Sequence, residues 1–158
     1  MKFTKMQGLG NDYVYIDCFS EQVAKPEELA IRIADRHFGV GGDGLILICP
    51  SEIAPVRMRM FNADGSEGKM CGNGARCVAR YAYDHGLVTS RSFDIETGAG
   101  IRHAEVGESL VTIDMGEAVL DGELEEAITV DGKATRMTPV NVGNPHAVYL
   151  VDSLETLR

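Results

Sequence analysis

An α+β fold, with a strongly curved, barrel-like sheet wrapped around one central helix, is predicted from three features of the sequence. Period-2 alternation of apolar and polar residues dominates the chain, in strand-and-turn units of about ten residues. Only two segments carry helical signals. The second of these is apolar on most sides: Ala75, Cys77, Val78, Ala79, Tyr81, Ala82 and Tyr83 leave only Arg76 and Arg80 charged in its middle. A helix apolar on most sides is buried on most sides, and among so many strands a curved sheet is the economical way to bury it.

The elements follow in order. Met1 to Gln7 opens as a strand, and Tyr13 to Phe19 is a strand rich in β-formers. The first helix runs from about Pro26 to His37, with Pro near its first turn and Gly39 after its end. Leu45 to Cys49 is a short, continuous apolar strand, and Val56 to Phe61 alternates with Arg57 and Arg59 facing water. The second helix runs from about Gly72 to His85 and is closed by Gly86. Further strands are predicted at Arg91 to Glu96, Ile101 to Val106, Leu110 to Met115, Ala127 to Val130, Ala134 to Val140 and Ala147 to Val151. The polar, Gly-bearing stretch from Asp114 to Gly122 is the best domain boundary. It divides the chain into 1–116 and 117–158, the latter being the start of a second, similar domain. Asp152 to Arg158 reads as a helix N-cap and first turn, so the sequence is expected to stop in mid-element.

Composition narrows the function classes. The 158 residues suit one domain, or one domain plus part of another. The net charge of −9 argues against nucleic acid, whose phosphates need basic patches. No apolar run approaches the ~20 residues of a membrane span. The N-terminus has no signal-peptide core, which predicts a cytoplasmic protein. The four cysteines, Cys18, Cys49, Cys71 and Cys77, form no CxxC pair, so reduced thiols are expected and no metal site is. Cys18 and Cys49 fall in predicted strands and read as structural. Cys77 lies six residues beyond Cys71; a helix turns roughly 600° over that distance and rises ~9 Å, so Cys77 faces away into the core.

Cys71 carries the most information. It meets the Gly72-Asn73-Gly74 turn just where a helix begins. The first N–H groups of a helix lack partners and carry partial positive charge, so they can seat a carboxylate and favour a thiolate beside it. That pairing suits removal of a proton next to a carboxylate. Other motifs have plain alternatives. Gly39-Val40-Gly41-Gly42-Asp43-Gly44 satisfies GxGxxG, but a helix precedes it and a strand follows, the reverse of a dinucleotide site, so it reads as a tight turn. Asn11, in Gly8-Leu9-Gly10-Asn11-Asp12-Tyr13, is either a turn residue or an amide offered to a ligand, and Asn62 has the same two readings. In Asn141-Val142-Gly143-Asn144-Pro145-His146, His146 is either a surface residue or a group that tunes a thiol pKa.

Taken together, Gly8 to Tyr13, Asp35-Arg36 with its Gly-rich turn, Phe61-Asn62-Ala63-Asp64-Gly65-Ser66, Met70-Cys71-Gly72-Asn73-Gly74-Ala75-Arg76-Cys77 and Asn141 to His146 resemble the diaminopimelate epimerase family in order and spacing, along essentially the whole chain. The resemblance implies the family fold and cofactor-independent interconversion of LL- and meso-diaminopimelate, in lysine and peptidoglycan precursor biosynthesis. It implies two cysteines on opposite sides of the α-carbon, one removing a proton as thiolate and the other returning one as thiol. Cys71 corresponds to one of them. Gly72 and Asn73 offer N–H groups to the α-carboxylate; Asn11, Asn62 and Asn144 bind substrate, chiefly its distal end; His146 adjusts cysteine pKa values. It also implies a homodimer for the complete enzyme.

Two departures stand out. Gly44 sits where some members carry a side chain that reaches the ligand. No second Cys-Gly-Thr or Cys-Gly-Asn motif occurs, and the family has a second, similar half. The chain is therefore expected to be the N-terminal part of such an enzyme and inactive alone. A proline or hydroxyproline racemase, and a non-catalytic folding or binding unit, are the alternatives.

Overall fold

The alternating segments form strands, and the two segments with helical signals form helices, in the computed structural model, which describes residues 1–156. The chain divides into two compact units, Met1–Met115 and Gly116–Arg158. The first contains β1 (Thr4–Gly8), β2 (Asn11–Asp17), α1 (Pro26–Ala34), β3 (Gly44–Cys49), β4 (Val56–Asn62), β5 (Glu67–Gly68), α2 (Gly72–Asp84), β6 (Ser92–Thr97), β7 (Gly100–Val106) and β8 (Val111–Ile113).

These strands make one sheet in the order β1-β2-β3-β4-β6-β7-β8, with β5 also paired to β4. Two neighbouring pairs are parallel, β2 with β3 and β4 with β6. A parallel pair needs a crossover, and the two helices lie in those two connections. Because β3 and β4 are antiparallel, the two crossovers advance along the sheet from strands of opposite direction. Crossovers of one hand then place their helices on opposite faces. The two clusters of buried side chains fit this rule. Ala30 and Ile33 of α1 lie with Val14, Ile16, Leu45, Leu47 and Phe61 on one face. Ala75, Val78, Ala79 and Ala82 of α2 lie with Tyr15, Ile46, Ile48, Met58, Met60 and Ile95 on the other. Odd and even positions of β2 and β3 thus serve different helices, which is why these two strands are apolar on both faces, whereas β4 alternates and gives the α1 side only Phe61. Each fully buried Ile or Val contributes roughly 1.5–3 kcal/mol.

Strands from both ends of the sheet, β1, β2, β7 and β8, pack against α2, as does β4. The sheet therefore curls around that helix, as the sequence predicts. A Schellman motif ends α2: Gly86, at φ 71°, donates to the Tyr83 carbonyl at 3.2 Å, and Leu87 donates to Ala82 at 2.9 Å.

Several boundaries differ from expectation for local reasons. The first helix stops at Ala34 instead of His37, because the Asp35 carboxylate accepts from the His37 and Phe38 N–H groups, both at 2.7 Å, and turns the chain. Asp17 acts likewise on the Phe19 N–H at 2.8 Å, so Cys18 lies just past the strand that was expected to contain it. The two-residue strands β5 and β9 (Val119–Leu120) are too short for periodicity to reveal.

The second unit contains β9, β10 (Glu126–Val130), β11 (Lys133–Asn141) and β12 (Pro145–Val148), followed by a 3-10 turn at Leu154–Thr156. The last predicted strand therefore lies earlier than Ala147 to Val151. A 3-10 turn stands where an α-helical start was expected, and residues 157–158 of that expected helix lie outside the described residues. β11 pairs with each of the other three strands of this sheet. Asp131 and Gly132, at φ 50° and 76°, make the tight β10–β11 turn. None of the described residues of this unit is buried, and Leu124, Leu150 and Leu154 are at least 70% exposed.

The tight fit of α2 in the first unit has a measurable consequence. Ala79 is fully buried between helix and sheet. Ala79→Leu should destabilise the chain by about 1–3 kcal/mol in urea unfolding. Ile31→Ala, on the exposed side of α1, should change stability by less than ~0.5 kcal/mol.

Candidate functional site

Cys71 is the N-cap of α2. Its backbone is extended (φ −142°, ψ 109°), its carbonyl accepts from Ala75 N–H at 2.8 Å, and its sulfur accepts from Gly74 N–H at 3.2 Å. The thiol thus takes the place of the usual Ser or Asp cap. Gly74 allows the helix to seat here: a Cβ on it would stand 2.6 Å from Ile46 Cδ1. With Gly74 engaged, the N–H groups of Gly72 and Asn73 have no acceptor among the described residues. They form a small positive mouth beside the sulfur.

The β1–β2 hairpin brings Asn11 to this mouth. Leu9 and Gly10 both have positive φ, 56° and 84°, and make the two-residue turn. Gly8 packs on Asn73, where a Cβ would stand 3.2 Å from its carbonyl oxygen. Asn11 Oδ1 accepts from the Cys71 thiol at 3.3 Å and lies 3.5 Å from Asn73 Nδ2. Its Nδ2 donates to Asp43 Oδ2 at 2.7 Å. An ionised carboxylate has no hydrogen to give, so this bond fixes which end of the amide faces the sulfur.

Asp43 is itself anchored. It accepts from Asp12 N–H at 3.0 Å and from Arg36 Nη2 at 3.0 Å. Arg36 also bridges Asp12 at 2.8 Å, and Lys5 reaches Asp12 at 2.8 Å. The Arg36 guanidinium, then Lys5, hold the Asp12 carboxyl far below the usual carboxylate range. Tyr13, buried on the α2 face, places its hydroxyl near Asn11 and Cys71, and burial pushes its pKa up. Arg76 donates to the Asn73 side-chain oxygen and steadies the helix mouth.

Of the residues singled out from sequence, Cys71, Gly72, Asn73 and Asn11 meet at this one place. Asn62 ends β4, in register with Gly44 of β3, which in turn pairs with Tyr13. Its Nδ2 is engaged within its own turn, donating to Ser66 Oγ at 2.9 Å. Asn144 and His146 belong to the second unit, where Asn144 Oδ1 and His146 Nε2 are 3.1 Å apart. Gly44 admits no side chain, since a Cβ would strike the Phe61 carbonyl and lie 3.0 Å from the Tyr13 ring. The loop from Gly39 to Gly44 joins α1 to β3 and supplies Asp43, so it serves as a turn with one working side chain. Cys77 is buried, and burial pushes its thiol pKa up.

The sequence reading missed Asp43, Arg36, Asp12 and Tyr13. All four lie in stretches that carry the family resemblance, but local rules assign an Asp within a Gly-rich turn to the turn itself. Among the described residues no cluster of three or more His, Cys, Asp or Glu is placed to share a metal ion, and no helix is long and apolar enough to cross a membrane.

A family model described as diaminopimelate epimerase matches residues 3–121. A diaminopimelate epimerase of Geobacillus thermodenitrificans is 52% identical over 97% of this chain and 59% of its own length. One from Acetivibrio thermocellus is 48% identical over 98% and 61%, and one from Methanococcus maripaludis is 44% identical over 98% and 62%. The chain thus spans about three-fifths of the length of these curated relatives. Among solved structures, a probable proline racemase from Agrobacterium radiobacter superposes with a TM-score of 0.70 at 17% identity, over 92% of this chain and 50% of that one. A hydroxyproline epimerase from Agrobacterium vitis gives 0.66 at 15% identity, over the same shares. At such identities these two structures establish likeness of fold alone.

The Asp12 network predicts a pH signature. A carboxyl held below its ordinary value stabilises the fold above pH ~4 and loses that contribution as pH falls toward its folded value. Asp12→Asn should cost on the order of 1–2 kcal/mol at neutral pH. The stabilities of the two proteins, measured in denaturant at several pH values, should stay apart down to about pH 4 and converge below it.

Proposed function

The chain belongs to the diaminopimelate epimerase family, and from that premise we propose that it provides one half of an active site that epimerises LL-diaminopimelate to the meso isomer without a cofactor. The observation that carries this reading is the α2 N-terminus, where the Cys71 sulfur stands beside two unengaged N–H groups. In this reading the substrate α-carboxylate sits on Gly72 and Asn73, and the α C–H bond faces Cys71. As thiolate, Cys71 takes the α-proton: the C–H bond breaks, an S–H bond forms, and the electron pair spreads from the α-carbon into the carboxylate. The helix N–H groups face the charge that builds there. In the opposite direction the Cys71 thiol returns the proton.

Inversion requires a second acid on the far side of the α-carbon. Cys77 is buried, and Cys18 and Cys49 pack with the cluster on the α1 face. The partner thiol therefore comes from outside these 158 residues, which alone are inactive or nearly so. Asn11, Asn62 and Asn144 recognise the distal amino acid end of the substrate, and His146 tunes the thiols. Residues 1–116 form the domain that carries Cys71, and 117–158 open a second domain. The complete enzyme is a homodimer of the cytoplasm that serves lysine and peptidoglycan precursor biosynthesis. The Asn11 bond to Cys71 supports a ligand role for that amide, because an incoming substrate would displace or share it.

The test is solvent deuterium incorporation into LL-diaminopimelate by this chain, by a form extended to the length of the relatives, and by the extended form with Cys71→Ala. The extended form should both exchange and invert. Cys71→Ala should reduce both by at least ~100-fold, and the 158-residue chain should not turn over. Exchange by none of them would exclude diaminopimelate and favour another amino acid, or a binding role for the unit.

A further inference from the structure

Away from Cys71, the α1 face of the sheet carries a second pair of sulfurs. β2 and β3 run parallel with Asp17 opposite Ile48. The Cys18 N–H then donates to the Ile48 carbonyl at 2.8 Å, which extends the ladder by one residue and sets Cys18 beside Cys49. Side chains on one face recur every second residue. Val14 and Ile16 on β2, and Leu45 and Leu47 on β3, face α1, so Cys18 and Cys49 are the next positions on that same face. Cys49 lies opposite Arg57 of β4, and Arg57 lies opposite Glu96 of β6. Cys18, Cys49, Arg57 and Glu96 therefore form one row across four strands, with Arg59 two residues along from Arg57.

Both residues are partly exposed at the border of the α1 cluster. The strand register sets the two side chains next to each other on that face. The neighbouring Cys18 thiol, with the Arg59 and Arg57 charges, lowers the Cys49 pKa, while the neighbouring Cys49 and burial raise that of Cys18. Asp17 and Glu67 oppose charge on Cys18 and Cys49 respectively. Of the two, Cys49 stands nearer the guanidinium groups of β4. Arg57 pairs with Glu96 at 3.5 Å and Arg59 with Glu67 at 2.8 Å, and these ion pairs hold the two guanidinium groups beside the Cys49 end of β3.

We propose that Cys18 and Cys49 form a dithiol modification site, separate from the Cys71 chemistry, which exchanges with low-molecular-weight disulfides. The Cys49 thiolate attacks one sulfur of RS–SR, forming a Cys49–S–SR bond and releasing RS⁻, which takes up a proton. Cys18 then loses its proton and attacks the Cys49 sulfur, releasing the second RS⁻, which is protonated in turn. The sum is two protein thiols plus RSSR giving one protein disulfide plus two RSH, with the small disulfide as the oxidant. Paired residues on neighbouring strands stand ~4.8 Å apart, within the ~4.4–6.8 Å that a disulfide spans between Cα atoms. The bond would close the whole β2–α1–β3 crossover into a covalent loop and raise the thermal midpoint of the first unit.

The test uses the 158-residue chain and its Cys71→Ser variant, incubated with oxidised glutathione under a chelator, quenched in acid and mapped by non-reducing peptide mass spectrometry. Both should lose two hydrogens and yield a Cys18–Cys49 cross-linked peptide, with a higher melting temperature that reverts on reduction. Cys18→Ser should trap glutathione on Cys49, and in Cys49→Ser the reaction at Cys18 should slow by at least ~10-fold. Three results would each overturn the proposal: a lasting glutathione adduct with no cross-link in the parent chain, equal reactivity of the two single variants, or a cross-link that forms only in urea. Because the mapping of the unmutated chain tests the cross-link without any substitution, the proposal stays falsifiable even where a variant fails to fold.

Discussion

Enclosure of α2 is the constraint on which the rest of the first unit depends. Ala75, Val78, Ala79 and Ala82 are inaccessible to solvent or nearly so, and strands from both ends of the sheet pack against the helix that carries them. A helix so enclosed offers solvent mainly its ends. Its N-terminus, with partial positive charge and unengaged N–H groups, is therefore a natural place for chemistry on an anion. Small side chains along α2 let the sheet come close, and Gly74 lets the first turn settle against Ile46. Packing and function meet at that residue: its missing Cβ admits the core, and its N–H holds the Cys71 sulfur.

Around this mouth runs a relay of charge and hydrogen bonds. Arg36 and Lys5 hold Asp12, Arg36 also holds Asp43, Asp43 orients Asn11, and Asn11 meets Cys71. The outermost members are partly exposed and individually worth little. Their value is geometric. They tie the loop after α1 to the start of β2, so that a flexible amide next to a thiol has one orientation. The second unit has no comparable network within the first turn of a helix; its described residues form a small sheet around β11 with apolar side chains in solvent.

Where the sequence could be read correctly, the information was local. The Gly72-Asn73-Gly74 turn after Cys71 marks a helix start in any context, and alternation along Val56 to Phe61 marks a strand. Even the barrel-like sheet followed from a local fact, a helix with too few polar positions to lie on a surface. The errors were local too, but of a kind periodicity does not register. Asp35 and Asp17 ended their elements by bonding to nearby backbone, in competition with the regular ladder.

Side-chain type and spacing along the chain were enough to fix the helices, most strands, the overall class of fold and the sulfur at the head of α2. They were not enough to say which amides reach that sulfur. Asn11 and Asn62 look alike in sequence, each at a glycine-bearing turn beside a strand, yet Asn11 bonds to Cys71 while the Asn62 amide donates to Ser66. Nor did they reveal Asp43 behind Asn11, or Cys18 beside Cys49. Those pairings join residues 32 and 31 positions apart. They arise from strand register and from the path of α1, which are settled only when non-local side chains pack together.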